Sequence, residues 1–85
     1  MHFDVPGWLA NLIGCPREEL TFVRETDKGE HLSVTYARNG IELATVDLVA
    51  RPFVDPRRAT WQLLAQIGER VESVQIPAQT RFVWR

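Results

Sequence analysis

The stretch that decides the predicted fold covers residues 31–71 and opens with the segment His31-Leu32-Ser33-Val34-Thr35-Tyr36. Apolar side chains at every second position, separated by hydroxyl groups, are typical of a strand with one buried face. More apolar residues follow the dipeptide Asn39-Gly40, which favours a tight hairpin turn. The sequence therefore predicts two antiparallel strands joined at this turn, with an apolar face and a hydroxyl-rich, solvated face.

The register of this hairpin depends on the length of its turn. A two-residue loop would set polar residues opposite Leu32 and Val34, whereas a three-residue loop with a glycine bulge would align Ala44 and Val46 with them. We favour the three-residue loop, because the apolar residues of both strands then share one face.

That register has a consequence for Ile41 and Leu43. Both side chains would lie on the outer face of the sheet, beside Ser33 and Thr35, and would form a candidate contact surface. The alternative is a bulge midway through the strand, which would let both apolar sets turn inward.

The end of the deciding stretch predicts an amphipathic helix. Asp55 is a suitable N-cap residue, and Pro56 suits the first helical position. At helical spacing one stripe carries apolar residues and the opposite side carries polar ones. The stripe contains Thr60, Leu63, Leu64, Ile67 and Val71, and the polar side contains Arg58, Gln62, Gln66 and Glu69. We expect the stripe to pack on the sheet, with Trp61 at its edge.

The flanking segments complete the predicted fold. Apolar residues at positions 8, 9, 12 and 13 predict a short helix that ends at Gly14, before Pro16. A single turn at 17–19, a strand at 20–26 and a hairpin turn at 27–30 follow, and residues 79–85 alternate as a final strand. The fold class is α+β, a single compact domain of residues 1–85. It consists of a short N-terminal helix, a three-stranded antiparallel meander, an amphipathic helix packed on the sheet and a C-terminal strand (α-β-β-β-α-β).

Composition narrows the class of protein. Of the 85 residues 45% are hydrophobic and 25% are charged, which is typical of a globular domain. Cys15 is the only cysteine, so no internal disulfide can form, and a reducing compartment is the simpler expectation. The sequence has no long apolar run. We therefore expect a cytoplasmic protein that neither is exported nor spans a membrane.

Catalytic chemistry has little support in the sequence. A nucleophilic Cys15 would need His2 or His31 as its base, and no local signature supports such a pair. Two histidines and one cysteine at unrelated spacings match no zinc pattern, and the glycines stand singly rather than in a phosphate-binding loop. An enzyme that uses Cys15 is therefore the lesser alternative, and no metal or cofactor is expected.

Nucleic-acid binding is the second hypothesis. The predicted order of helix, three strands and helix resembles that of double-stranded RNA-binding domains, in which a basic cluster at the start of the second helix contacts phosphates. Arg57 and Arg58 stand at that position here. A second basic surface could combine Arg24, Arg81 and Arg85 around Trp84. The net charge of −1 supplies no overall attraction for a phosphate backbone.

A protein partner is the leading hypothesis. Tryptophan and arginine dominate binding hot spots, and both occur together twice in this sequence. The candidate binding residues are Arg57, Arg58, Trp61, Arg81, Trp84 and Arg85. The first and last strands, if they lie at sheet edges, would also permit strand addition or a homo-oligomer.

A meander followed by a proline-capped helix, in a small near-neutral chain, is similar to small phage-encoded inhibitors, including some anti-CRISPR proteins. This resemblance implies a non-enzymatic module that occludes or bridges a macromolecular partner.

Overall fold

The computed structural model describes residues 1–29, 31–51 and 56–85. Within these ranges, two single turns of 3-10 helix, Arg17–Glu19 and Pro56–Arg58, accompany one α-helix and seven strands. In chain order these are β1 (His2–Asp4), α1 (Val5–Ile13), β2 (Leu20–Asp27), β3 (His31–Arg38), β4 (Ile41–Arg51), β5 (Thr60–Ile67), β6 (Arg70–Pro77) and β7 (Arg81–Val83).

The strands form two sheets of different character. β2 to β6 make a five-stranded antiparallel meander in which every strand pairs with its neighbours in sequence. β1 and β7 pair in parallel, and we call them the terminal strand pair. The larger sheet is the main layer of the molecule.

The predicted α-β-β-β-α-β order is wrong, because the segment expected to form the second helix forms β5 and β6. Positions 61, 63, 65 and 67 carry the apolar residues Trp, Leu, Ala and Ile, which is a strand period as well. A two-residue turn at Gly68, whose φ is +62°, then reverses the chain into β6. Pro56 does begin a helical turn of three residues, whereas the predicted N-cap, Asp55, lies outside the described residues.

The β3–β4 hairpin has a two-residue turn and not the favoured three-residue loop. Asn39 and Gly40 both have positive φ, and Arg38 pairs with Ile41. A bulge then shifts the register after Tyr36, so that Val34 faces Val46. The midway bulge that was the alternative therefore brings Ala44 and Val46 onto the core face with Val34. It does not bury Ile41, which stays exposed.

Other expectations for the first half are confirmed. α1 ends where Gly14 adopts a left-handed φ of +87° and donates its N–H to the carbonyl of Ala10 at 2.8 Å. The single turn at Arg17–Glu19 and strands β2 and β3 follow as predicted. The C-terminal strand exists but is shorter, and it pairs with β1 instead of joining the five-stranded sheet.

The inner face of the five-stranded sheet is the face that packs against α1 and the terminal strand pair. Val5 and Leu9 of α1 are fully buried against this face. Residues of the sheet that belong to the buried core are Val34, Tyr36, Ala44, Val46, Leu63, Ala65 and Ile76. Phe3, Trp8, Phe82 and Trp84 close the layer around it. A single apolar core therefore lies on one side of the sheet.

Candidate functional site

The outer face of the five-stranded sheet is the opposite side, and two cross-strand rows define it. One row contains Thr26, Ser33, Asp47, Leu64 and Ser73, and the other contains Arg24, Thr35, Thr45, Gln66 and Val71. Because α1 and the terminal strand pair lie on the inner face, none of the described α-helices and strands covers these rows. The outer face is therefore the broad surface available to a partner.

A depression of about 280 Å³ opens at one end of this face, and we call it the outer-face depression. Its lining comes from β2, β3, β4 and β5 and from the turn that follows β5. The residues are Arg24, Thr35, Glu42, Leu43, Ala44, Thr45, Gln66 and Gly68. Leu43 is the extra residue of the β4 bulge, because Glu42 faces Ala37 and Ala44 faces Tyr36. Leu43 thus lines the depression and also packs against the core, while the hydroxyl, amide and charged groups come from the other lining residues.

An ion pair stands at the rim of the depression. A terminal nitrogen of Arg24 lies 2.6 Å from a carboxylate oxygen of Glu42, across the width of β3. The hydrogen bond from Arg24 holds the pKa of the Glu42 carboxyl below its usual range, and the same contact raises the pKa of Arg24. The rim therefore carries one positive and one negative group whose charges cancel, and a ligand could contact either group.

Asp47 lies near the centre of the outer face. It faces Ser33 of β3 on one side and Leu64 of β5 on the other. Its Oδ1 atom is shielded from solvent and has no hydrogen-bond partner among the described residues. A shielded carboxylate oxygen without a donor is costly to leave unpaired, so a donor brought by a partner would be stabilised at this position.

The predicted tryptophan anchors lie on the other side of the sheet. Trp61 packs edge-on against Phe82 with ring centroids 6.3 Å apart, and its indole N–H donates to the Ala78 carbonyl at 3.1 Å. Trp84 lies against the same Phe82 ring at 5.8 Å. The structure therefore brings the two tryptophans together around one phenylalanine, where both pack against the core.

The predicted arginines lie on three different segments. Arg57 and Arg58 are exposed in the 3-10 turn before β5, and Arg81 is exposed on β7. The guanidinium carbon of Arg85 lies 4.2 Å from the centroid of the Phe22 ring, which is a cation–π contact. None of these four residues lines the outer-face depression.

Carboxylates hold arginines in several parts of the described chain, which bears on nucleic-acid binding. The pairs are Arg17–Asp4, Arg24–Glu42, Arg38–Glu19 and Arg70–Glu72, with nitrogen–oxygen distances from 2.6 to 3.0 Å. A guanidinium that is already paired adds little net attraction for a phosphate. The helix that would have carried the RNA-binding cluster is also absent from the described residues, because Thr60–Ile67 is a strand.

The described ranges also bear on metal binding and on insertion into a membrane. There, no group of three or more histidine, cysteine, aspartate or glutamate side chains is arranged to hold a metal ion. Nor does any described helix have the length and apolar character needed to cross a bilayer. Cys15, the candidate nucleophile, is a partly buried free thiol just after α1.

Sequence reasoning found part of the outer face and missed the rest. The alternation in residues 31–36 predicted a solvated face, and the candidate contact surface named Leu43 and Thr35, which both line the depression. Ile41 is exposed to 71%, at the tip of the β3–β4 hairpin. The sequence predicts Gln66 on a helix and Arg24 in a basic surface around Trp84, whereas both residues line the outer-face depression. The sequence signal for this part of the outer face is that Gln62, Leu64 and Gln66 occupy every second position of β5, between the inner-face residues.

No protein-family model matches the chain, and comparisons with curated proteins and with solved structures gave no match either.

Proposed function

We propose that this chain is a non-catalytic module that binds a protein partner through the outer face of its five-stranded sheet. The observation that carries the proposal is the outer face, which no described α-helix or strand covers, with its depression of about 280 Å³. A sheet face of this kind offers hydroxyl and amide groups for hydrogen bonding, and the partly exposed Leu64 for apolar contact.

The charges of this face favour a protein over a nucleic acid. Arg24 is neutralised by Glu42 at the rim, and Asp47 adds a negative charge near the centre. A phosphate backbone would meet repulsion at Asp47, whereas a backbone N–H or a basic side chain of a protein would supply the donor that its Oδ1 atom lacks.

The resemblance to anti-CRISPR inhibitors contributes nothing further to this proposal. It depended on a hairpin followed by a helix, and residues Thr60–Ile67 form a strand. What remains from the sequence is the class of protein, a small binding module without catalytic groups.

The test compares three tagged proteins as baits in an extract of cells that express the chain. Leu64→Lys places a charge at the centre of the outer face, and the matched control, Asn11→Lys, places the same charge on an exposed position of α1. We expect a protein that wild type and the Asn11 variant retain after nuclease treatment, and that Leu64→Lys loses. Binding of the purified partner should show the same order.

Two results would overturn the proposal. One is a set of retained proteins that is identical for all three baits, although thermal unfolding shows that the Leu64 variant is folded. The other is retention that disappears on nuclease treatment, together with direct binding of an RNA or DNA duplex that weakens steeply as salt is added.

A further inference from the structure

The two edges of the five-stranded sheet are protected to very different degrees. Along β2 the register shifts between Phe22 and Arg24, which marks a bulge. Its next inner-face positions carry the charged residues Glu25 and Asp27, opposite Val34 and Leu32. Bulges and inward-pointing charges are devices by which proteins prevent an edge strand from pairing with another chain. β2 is therefore a blocked edge.

β6 at the opposite edge lacks these devices along most of its length. Its pairing with β5 is regular from Ile67–Arg70 to Thr60–Pro77, with no bulge. Its charged residues, Arg70 and Glu72, lie at one end and form an ion pair with each other at 3.0 Å. The four residues that follow, 73–76, are uncharged. An extended, regular and uncharged edge of this kind is a template for strand addition.

An apolar row on the inner face ends at this open edge. Leu32, Leu48, Leu63 and Val74 face one another directly across β3, β4, β5 and β6. At the β2 edge the row stops at Asp27. At the β6 edge it stops at Val74, and no further described strand extends it. The apolar row therefore ends at a charged residue on β2, and on β6 it ends at an apolar residue with no strand beside it among those described.

The backbone of β6 also has groups available at this edge. The two-residue turn at Gly68 makes Ile67 and Arg70 a hydrogen-bonded pair, and such pairs alternate along an antiparallel ladder. The N–H and C=O groups of Val71, Ser73 and Gln75 accordingly point away from β5. The backbone nitrogen of Pro77 also points away from β5, so the N–H that proline lacks is not needed for the hydrogen bonds between β5 and β6.

We propose that β6 is a dimerisation edge, at which two copies of this chain pair antiparallel about a two-fold axis near Val74 and Gln75. The occupant is a second copy because the edge is complementary to itself: the axis sets Val74 against Val74 or Ile76 of the second copy and continues the apolar row. Arg70 stays outside the central pairs. The product is one continuous ten-stranded sheet. This inference is independent of the proposed function of the outer face.

The experiment measures molar mass against protein concentration by light scattering and sedimentation equilibrium. We expect the mass to rise from the 9.8 kDa of one chain toward twice that value. Ser73→Pro should weaken dimerisation by about tenfold or more, because each copy loses an edge N–H donor and gains a ring at the interface. The fold should survive, since the Ser73 N–H is not part of the ladder with β5. Ser73→Lys, which sets two like charges near the axis, is a second variant for the case in which the proline variant unfolds.

The matched control is Glu25→Pro on β2. The Lys28 N–H donates to the His31 carbonyl at 2.9 Å, and by the same alternation the Glu25 N–H points away from β3. This variant should dimerise like wild type. Amide hydrogen exchange adds a local readout: exchange at Val71, Ser73 and Gln75 should slow as the protein concentration rises.

Four results would overturn the inference, three from the molar mass and one from amide exchange. The first is a monomeric mass at every concentration into the millimolar range. The second is a dimer that both Ser73 variants leave intact. The third is a dimer that Glu25→Pro abolishes while Ser73→Pro does not. Slowed exchange of the β6 amides only after another protein or peptide is added would mean that the edge takes a foreign strand in place of a second copy.

Discussion

At the scale of single residues, Tyr36 connects the sheet to the C-terminal segment. Its side chain is only 1% exposed, and its ring meets Phe22 edge-on at 6.1 Å. Its hydroxyl donates to the carbonyl of Trp84 at 2.6 Å, 48 positions away in the sequence. Tyr36 therefore serves as a core residue and as the polar anchor of the segment that follows β7.

We predict that Tyr36 makes stability fall with rising pH in the alkaline range. Burial raises the pKa of the Tyr36 hydroxyl well above its ordinary value, so the folded protein keeps a proton that the unfolded chain releases. The free energy of unfolding should decrease above about pH 10, by roughly 1.4 kcal/mol per pH unit. Urea unfolding at a series of pH values measures this slope.

Tyr36→Phe is the control, and it should lack this alkaline slope. At neutral pH it should lose about 1 kcal/mol of stability, because the Trp84 carbonyl then has no donor. Since Tyr36 is the only tyrosine, tyrosinate absorbance reports on it alone. Tyrosinate that forms near pH 10 in the folded protein would contradict the prediction.

At the scale of elements, β5 explains why half of the fold was predicted correctly and half was not. Leu63 and Ile67 satisfy both the helical stripe and the strand alternation. Leu64 fits only the helical stripe, whereas Trp61 and Ala65 fit only the apolar face of the strand. Pro56 favoured a helix through a local start signal, and the structure continues that helix for three residues. Pairing with β4 and β6 decides the outcome, and such nonlocal pairing cannot be read from a local pattern.

Gly68→Ala tests this assignment directly. In the observed turn Gly68 has a φ of +62°, where an alanine is strained, so the variant should be destabilised by about 1 kcal/mol. In a helix the same substitution would be stabilising by about 1 kcal/mol. Thermal or urea unfolding therefore separates the two structures by the sign of the change.

Glu69→Ala is the matched control at the neighbouring turn position. Glu69 does not have a positive φ, so alanine should be tolerated there with little change in stability. A Gly68→Ala variant more stable than wild type would contradict the β5–β6 hairpin.

At the scale of the whole molecule, Arg17 joins segments that are far apart in sequence. It donates two hydrogen bonds to the carboxylate of Asp4, at 2.7 and 2.8 Å, and a third to the carbonyl of Arg85 at 3.0 Å. A single side chain thereby connects the end of β1, the turn before β2 and the segment beyond β7. The fork of the guanidinium suits this role, since an ammonium group cannot bind a carboxylate in two parallel bonds.

We predict that Arg17→Ala changes the acid dependence of stability. The hydrogen bond from Arg17 holds the pKa of Asp4 below its ordinary value, so this pair contributes stability above that value and loses it as pH falls through the lowered pKa. In the variant, an NMR titration should show the Asp4 carboxyl near its ordinary pKa. The loss of stability at neutral pH should be small, because both side chains are partly exposed.

Arg38→Ala is the comparison for this prediction. It breaks the Arg38–Glu19 pair, which joins β3 to the turn before β2 without contacting Asp4. The Asp4 titration should be unchanged in that variant. An Asp4 pKa that stays low without Arg17 would show that another group stabilises the carboxylate.

The candidate site also belongs to the scale of the whole molecule. Arg24, Thr35, Thr45 and Gln66 come from four strands and meet in one cross-strand row. The sequence could predict that each strand has a polar face, but the row depends on three registers at once, two of which include a bulge. This is why the solvated face was predictable and the depression was not.

The terminal strand pair has a consequence for the order of folding. The hairpins β2–β3, β3–β4 and β5–β6 close over short connections, whereas His2 pairs with Arg81, across almost the whole described chain. The entropy of closing so long a loop delays this step until the meander is formed. Until β7 pairs with β1, part of the apolar inner face is exposed to solvent. Chains that fold slowly or are truncated would therefore be prone to aggregate during synthesis and refolding. Crowded or concentrated refolding should therefore lower the yield of native protein, even where the native state itself is stable.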